Sequence, residues 1–186
     1  MSKTLGNICK ILDNPYKHVL EFGTWSGESM LTIRNNLSTE YKLFGFDSFL
    51  GLPEDWEGTQ YKKGDFGLGG VIPDELKNLD AKIFPGWFKD TIPEYLKEAD
   101  NIALLHIDCD LYSSTIDILY SNIRKYIKSG TYIVFDEFRK INNKDHEQRA
   151  FEEWVKDFNI NYKMMPTMEP FRQAIKILES DSSLFE

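Results

Sequence analysis

Apolar positions along the chain fall into short runs, and helical patterns separate them. Residues 18–22, 41–47, 102–107 and 131–135 are runs of strand length, with a weaker one at 81–84. Because they are apolar throughout rather than strictly alternating, they predict strands covered on both faces, as in a parallel sheet. A glycine-bearing turn after the first run opens a helix predicted over about 28–37. An amphipathic helix is predicted over about 114–128, stopping at Gly130. Strand and helix repeated in this order predict a Rossmann-like, doubly wound, mostly parallel α/β sheet.

The last third has a different rhythm. Phe151, Trp154, Val155 and Phe158 stand at helical spacing and predict a helix over 145–158. Two further strands, 162–165 and 174–178, flank a turn holding Pro166 and Pro170. They predict an antiparallel pair closing the edge of the sheet. Residues 179–186 read as a frayed tail. The stretch 51–70 is rich in glycine and has little periodicity, as lids and binding loops do.

Length and composition narrow the class. At 186 residues the chain is expected to form a single domain over 1–186 with a core of its own. No apolar run approaches the roughly 18–20 residues that cross a bilayer, and the N-terminus lacks the apolar stretch of a signal peptide. Cys9 and Cys109 have no metal-finger spacing and make no disulfide framework. A cytoplasmic protein without a membrane partner is therefore expected. The net charge of −8 disfavours phosphate backbones, and no dense basic cluster interleaved with aromatics offsets it, so no nucleic-acid partner is expected.

Three constellations carry candidate chemistry. In the first, Gly23 and Gly27 follow the first strand and open a helix, so the backbone can approach a ligand whose anionic group meets free helix N–H groups. By spacing alone an ordinary strand-to-helix turn explains it equally well. The second is Asp47, ending the next strand about 20 residues on, where an acid reaches ribose hydroxyls; a turn-starting aspartate is the plainer reading. Together the two favour an adenosine-containing ligand without separating S-adenosylmethionine from NAD. The third gathers Asp108 and Asp110 after the fourth strand with Asp136 and Glu137 after the fifth. Strand alternation would set Asp108 and Asp110 on one side, roughly 6.6 Å apart, with Cys109 facing away into packing. Carboxylates converging on one cleft repel unless a cation or protons intervene, and a hard ion such as Mg²⁺ takes oxygen ligands. Solvated strand-end acids are the bland alternative. His106 shares the face of Asp108 and is expected beneath the site. Trp87 and Phe88 are placed to stack on an adenine or to join the core.

These residues resemble a known family. Leu20-Glu21-Phe22-Gly23-Thr24-Trp25-Ser26-Gly27-Glu28-Ser29 is similar to the first motif of the macrocin-type sugar O-methyltransferases, a class I methyltransferase family. Phe46-Asp47-Ser48-Phe49-Leu50-Gly51-Leu52-Pro53 resembles the second block and Gly86-Trp87-Phe88-Lys89-Asp90-Thr91-Ile92-Pro93 the third. His106-Ile107-Asp108-Cys109-Asp110-Leu111-Tyr112-Ser113-Ser114-Thr115 resembles the fourth, and Gly130-Thr131-Tyr132-Ile133-Val134-Phe135-Asp136-Glu137-Phe138 the fifth. The resemblance implies S-adenosylmethionine as methyl donor, magnesium, and methylation of a hydroxyl on a small molecule or glycan, typically a sugar. It implies cofactor contacts from Glu21, Gly23, Thr24, Gly27, Ser29, Asp47, Ser48, Gly86, Trp87 and Asp108. Asp108, Asp136 and Glu137 would be metal ligands and Asp110 a further ligand or the base. The chain departs from the family in having Asp136-Glu137 where paired aspartates are frequent. The alternatives are an NAD-linked oxidoreductase, disfavoured by the missing third glycine, and a cofactor-binding scaffold without catalysis. Substrate recognition is expected from 51–70 and 139–145, with Trp56, Tyr61 and Phe66 stacking on a sugar or packing a lid. Self-association into a homo-oligomer is left open.

Overall fold

A computed structural model describes residues 2–139 and 145–179. Seven strands form one sheet: β1 (His18–Phe22), β2 (Lys42–Asp47), β3 (Lys82–Pro85), β4 (Ile102–Ile107), β5 (Tyr132–Phe135), β6 (Tyr162–Met165) and β7 (Gln173–Ile177). Their spatial order is β3-β2-β1-β4-β5-β7-β6. The first five run parallel, whereas β7 is antiparallel to both β5 and β6. This is the expected doubly wound sheet with an antiparallel edge. α1 (Lys3–Lys10) precedes β1, and between the strands lie α2 (Glu28–Asn36), α3 (Asp74–Lys77), α4 (Phe88–Tyr95), α5 (Tyr112–Leu119) and α6 (His146–Asp157). The sequence expectations for 140–144 and 180–186 fall outside the described residues.

The sandwich follows from period-2 alternation in strands whose every position is buried. Leu20 and Phe22 of β1, Leu105 and Ile107 of β4, and Ile133 and Phe135 of β5 belong to one apolar layer, shared with α4, α5 and α6. Val19, Leu104 and Val134 belong to the other, shared with α1 and α2. Phe22, Phe46 and Phe84 stand at one register level on β1, β2 and β3. Their rings stack at 4.3 and 4.9 Å between centroids, a row that fixes these strands against α4.

Two elements depart from the sequence expectation. The helix predicted over 114–128 is broken: α5 ends at Leu119, and a 3₁₀ turn follows over Asn122–Tyr126. Ser121 causes the break. Its hydroxyl donates to the carbonyl of Ile118 at 2.7 Å and accepts the N–H of Ile123 at 3.2 Å, giving the backbone an alternative to helix. The second departure is α1, which the apolar pattern did not announce. Ser2 caps it, and Glu169 from the β6–β7 connection accepts the N–H groups of Lys3 at 2.6 Å and Thr4 at 3.1 Å.

Trp154 of α6 is fully buried between Phe151 and Phe158, with centroids at 6.1 and 6.5 Å. Trp154→Ala should therefore cost about 3–5 kcal/mol of folding stability. Urea unfolding of the two proteins measures it; a cost within about 0.5 kcal/mol, as at surface positions, would contradict this packing.

Candidate active site

The site is built where the parallel strands end. Main-chain pairing continues one residue past each strand: Gly23 N–H reaches Phe46 O at 2.9 Å, Gly86 N–H reaches Asp47 O at 2.8 Å, Asp108 N–H reaches Phe22 O at 2.9 Å, and Asp136 N–H reaches Ile107 O at 3.0 Å. Gly23 has φ +92°, and a Cβ there would lie 1.8 Å from the Asp108 carbonyl oxygen, so only glycine fits. Gly27 caps α2 with φ +91°; its missing Cβ makes room for Leu76 of α3 rather than for a ligand.

Asp47 ties this turn to β2. One carboxylate oxygen accepts the Trp25 N–H at 2.8 Å and the other the Phe49 N–H at 2.7 Å. Burial pushes the carboxyl above its ordinary value, against the pull of those two N–H groups. Asp47 thus organises the turn, and each oxygen keeps a lone pair for a further donor.

A cavity of about 580 Å³ opens between these strand ends, within the range of small-molecule sites. It brings together Gly23, Asp47, Ser48, Trp87, Asp108 and Asp110 among the sequence candidates. Glu21, Thr24, Gly27, Ser29, Gly86, Asp136 and Glu137 do not line it. Glu21 and Thr24 lie beneath it, at 0% and 1% exposure. The loop 51–70 forms one wall. Ser113 of α5 donates to Glu54, and His146 Nε2 lies 2.8 Å from the carbonyl of Glu57. Trp56 packs inward with Leu52, Leu111 and Tyr61. Phe66 lines the cavity instead, its ring edge-on to Trp25 at 6.2 Å.

The alternation expected for Asp108–Asp110 stops short. β4 ends at Ile107, and Asp110 adopts φ +65°, so the spacing of an extended strand does not apply there. Both aspartates still line the cavity. Burial and then the Glu137 and Asp136 charges raise Asp110 to about 7. Glu137 rises to about 7 by burial and the neighbouring Asp136. Asp108 is pushed well above its ordinary value by burial and by Asp136. The Cys109 thiol is raised by burial and by Glu147, which fits packing rather than nucleophilic use.

Beneath the cavity runs a chain of buried charges that sheet register assembles. Glu21 of β1 stands opposite His106 of β4, and His106 Nδ1 lies 2.7 Å from Glu21 Oε1. His106 Nε2 lies 3.9 Å from Asp136 Oδ1. Pairing of Phe135 with Gln173, carried one residue on, sets Asp136 opposite Arg172, whose Nε and Nη2 each meet one carboxylate oxygen, the latter at 3.0 Å. Burial alone would depress His106; Asp136 and Glu21 override it and raise the imidazole to about 10. The chain therefore alternates acid, base, acid, base. Among the described residues, ligand atoms of His106, Asp108 and Asp136 lie within 4.8 Å of one another, with Glu137 outside that group.

Two residues of this site carried no signal in the sequence. Glu147, in the first turn of α6, is 0% exposed and accepts the N–H of Cys109 at 3.3 Å and of Glu137 at 3.1 Å. It clasps the two acid-bearing loops together, yet in sequence it looks like the solvated Glu152 of the same helix. Arg172 is the other: only the antiparallel return of β7 brings it to Asp136.

No helix among the described residues is long and apolar enough to cross a membrane. Among solved structures, an apo TDP-rhamnose 3'-O-methyltransferase of calicheamicin biosynthesis superposes with TM-score 0.69 at 22% identity, covering 92% of this chain and 77% of that one. An O-methyltransferase from Bacillus cereus superposes with TM-score 0.63 at 14% identity, covering 96% and 82%. In sequence, the chain is 29% identical over 141 residues to demethyldecarbamoylnovobiocin O-methyltransferase of Streptomyces niveus, covering 64% of this chain and 52% of that protein. It is 28% identical over 139 residues to 8-demethyl-8-(2,3-dimethoxy-alpha-L-rhamnosyl)-tetracenomycin-C 4'-O-methyltransferase of Streptomyces olivaceus, with the same coverages of 64% and 52%. The chain thus spans about half the length of the relatives it matches. The sequence model of the family Macrocin-O-methyltransferase (TylF) matches residues 74–169, just over half of the 186. Its matched span holds the third and fourth motif blocks and the fifth, and the chain belongs to the macrocin-O-methyltransferase family.

Proposed function

We propose that the chain is the catalytic core of an S-adenosylmethionine-dependent O-methyltransferase acting on a hydroxyl of a sugar or glycosylated metabolite, with magnesium. A fold hosts many chemistries, so the proposal rests on the site. The observation that carries it is the single cavity joining the Gly23 turn, Asp47 and the acids Asp108 and Asp110, between β1 and its two neighbours. That is where open α/β sheets bind ligands.

The residues present fit both groups. Gly23 offers backbone without a side chain, Asp47 keeps a lone pair on each oxygen for ribose hydroxyls, and Trp87 and Phe66 line the cavity with aromatic rings. Asp108 and Asp136 are oxygen donors of the kind a hard divalent ion takes. When bound, the sulfonium supplies an electrophilic methyl group and the divalent ion acidifies a ligated hydroxyl. The protein's own part is proton handling and positioning. Asp110, held near 7, is matched to accept the hydroxyl proton around neutral pH. Asp47, Glu54 and Asp117 outnumber Lys63 and Lys89 on the cavity wall, a balance suited to a cationic donor. The Glu147 clasp ties the two acid-bearing loops together, and orientation of this kind lowers a transfer barrier. The activity of one relative on a rhamnosyl-bearing tetracenomycin supports a glycosidic acceptor.

The raised carboxyls set a pH dependence. Asp110 and Glu137 hold protons up to about 7 in the fold but only up to about 4 in the unfolded chain. Between those values the folded state binds more protons, so their contribution to stability is full below about 4 and is lost as pH rises to about 7. Urea midpoints across pH 4 to 7.5 should therefore fall less steeply in Asp110→Asn/Glu137→Gln than in the wild type. Parallel curves would contradict the shifted carboxyls.

Calorimetric titration of S-adenosylmethionine and, separately, NAD tests the function. The donor is expected to bind and NAD not to. Asp47→Ala should weaken donor binding roughly tenfold or more, as loss of hydrogen bonds to a charged group does. Binding of NAD alone, or of neither, would overturn the reading.

A further inference from the structure

We propose that Arg172 and a divalent cation are alternative partners of Asp136, so that the guanidinium holds the metal position until the cation displaces it. The inference rests on the reading of Asp108 and Asp136 as cation ligands. The geometry points to competition. Arg172 engages both oxygens of Asp136 in a two-pronged fork, taking one lone pair of each and setting a fixed positive charge against the carboxylate that an incoming cation would need. Yet Asp108 and Asp136 converge to within 4.8 Å, and His106 Nε2, fully buried and without a hydrogen-bond partner, is directed at the same cluster. An acid cluster with an unpartnered buried nitrogen is not closed by the protein's own contacts.

Arg172 also has somewhere to go. Its Nη1 already lies 3.8 Å from Glu169, the carboxylate that caps α1. The backbone on either side is fixed, because Phe171 O accepts the N–H of Phe138 at 2.9 Å and β7 begins at Gln173. Only the side chain, 26% exposed, need rotate from Asp136 toward Glu169. After the exchange each cation has carboxylate partners: the divalent ion lies between Asp136 and Asp108, which supplies the second negative charge, and the guanidinium lies against Glu169.

Manganese(II) serves as the probe, its free concentration read by electron paramagnetic resonance without any acceptor present. Arg172→Met, which keeps bulk and removes the charge, should bind manganese at least tenfold more tightly than the wild type. Arg172→Lys, with a single donor point in place of the fork, should fall between. Asp136→Asn introduced into Arg172→Met should abolish the gain. Equal or weaker binding by Arg172→Met and Arg172→Lys, with manganese bound by the wild type, would overturn the competition while leaving the metal ligands standing. No binding by any variant would overturn both. Donor affinity measured without metal decides the methyltransferase reading separately.

Discussion

Gly23 sits so close to β4 that a Cβ would meet the Asp108 carbonyl oxygen at 1.8 Å. That approach is possible because the parallel pairing of β1 with β2 and β4 runs one residue beyond the strands, through Gly23 to Phe46 and Asp108 to Phe22. Everything functional hangs from this junction. It turns the chain out of β1 toward α2, and it brings the exits of β1, β2 and β4 into one cavity. It also sets the loop carrying Asp108 and Asp110 against the glycine turn. A side chain at 23 would push the two strand ends apart and lose the cavity with them.

Beneath the junction, charge is managed by register rather than by solvent. Glu21, His106, Asp136 and Arg172 come from four neighbouring strands or their immediate extensions, and period-2 alternation turns them to the same face of the sheet. A lone carboxylate at 0% exposure would be costly; alternating signs make the row tolerable. Asp108, Asp110 and Glu137 are all raised, first by burial and then by neighbouring carboxylates, Asp136 among them in each case, although His106 draws Asp108 down and Arg172 draws Glu137 down. The structure thus separates acids paired with bases in the floor from Asp108 and Asp110, whose raised carboxyls line the cavity, a division of the kind catalytic sites exploit.

Much of this was legible in the chain. The central strands read clearly because burial on both faces leaves runs such as Ile102–Ile107 without alternation, and the glycine turn, Asp47 and the strand-end acids followed from their places after those runs. What stayed hidden depends on partners far away in sequence. α1 is fixed by Glu169, Glu147 means nothing until α6 is laid across the loops after β4 and β5, and Arg172 meets Asp136 only through the β7 return. Local chemistry also overrode the pattern twice, at Ser121, which ends α5 early, and at Asp110, whose left-handed backbone cancels the strand alternation. Glu21 shows a third limit. The motif implies a cofactor contact, but its side chain is turned down onto His106.

The central claim is that the donor is held at this junction. The most direct measurement is a map of backbone amide shifts on adding S-adenosylhomocysteine to the isotopically labelled protein. The account predicts the largest changes at Gly23, Trp25, Ser48, Trp87, Asp108 and Asp110. Changes absent there, or confined to the far sheet edge around Gly130 and Tyr162, would contradict it.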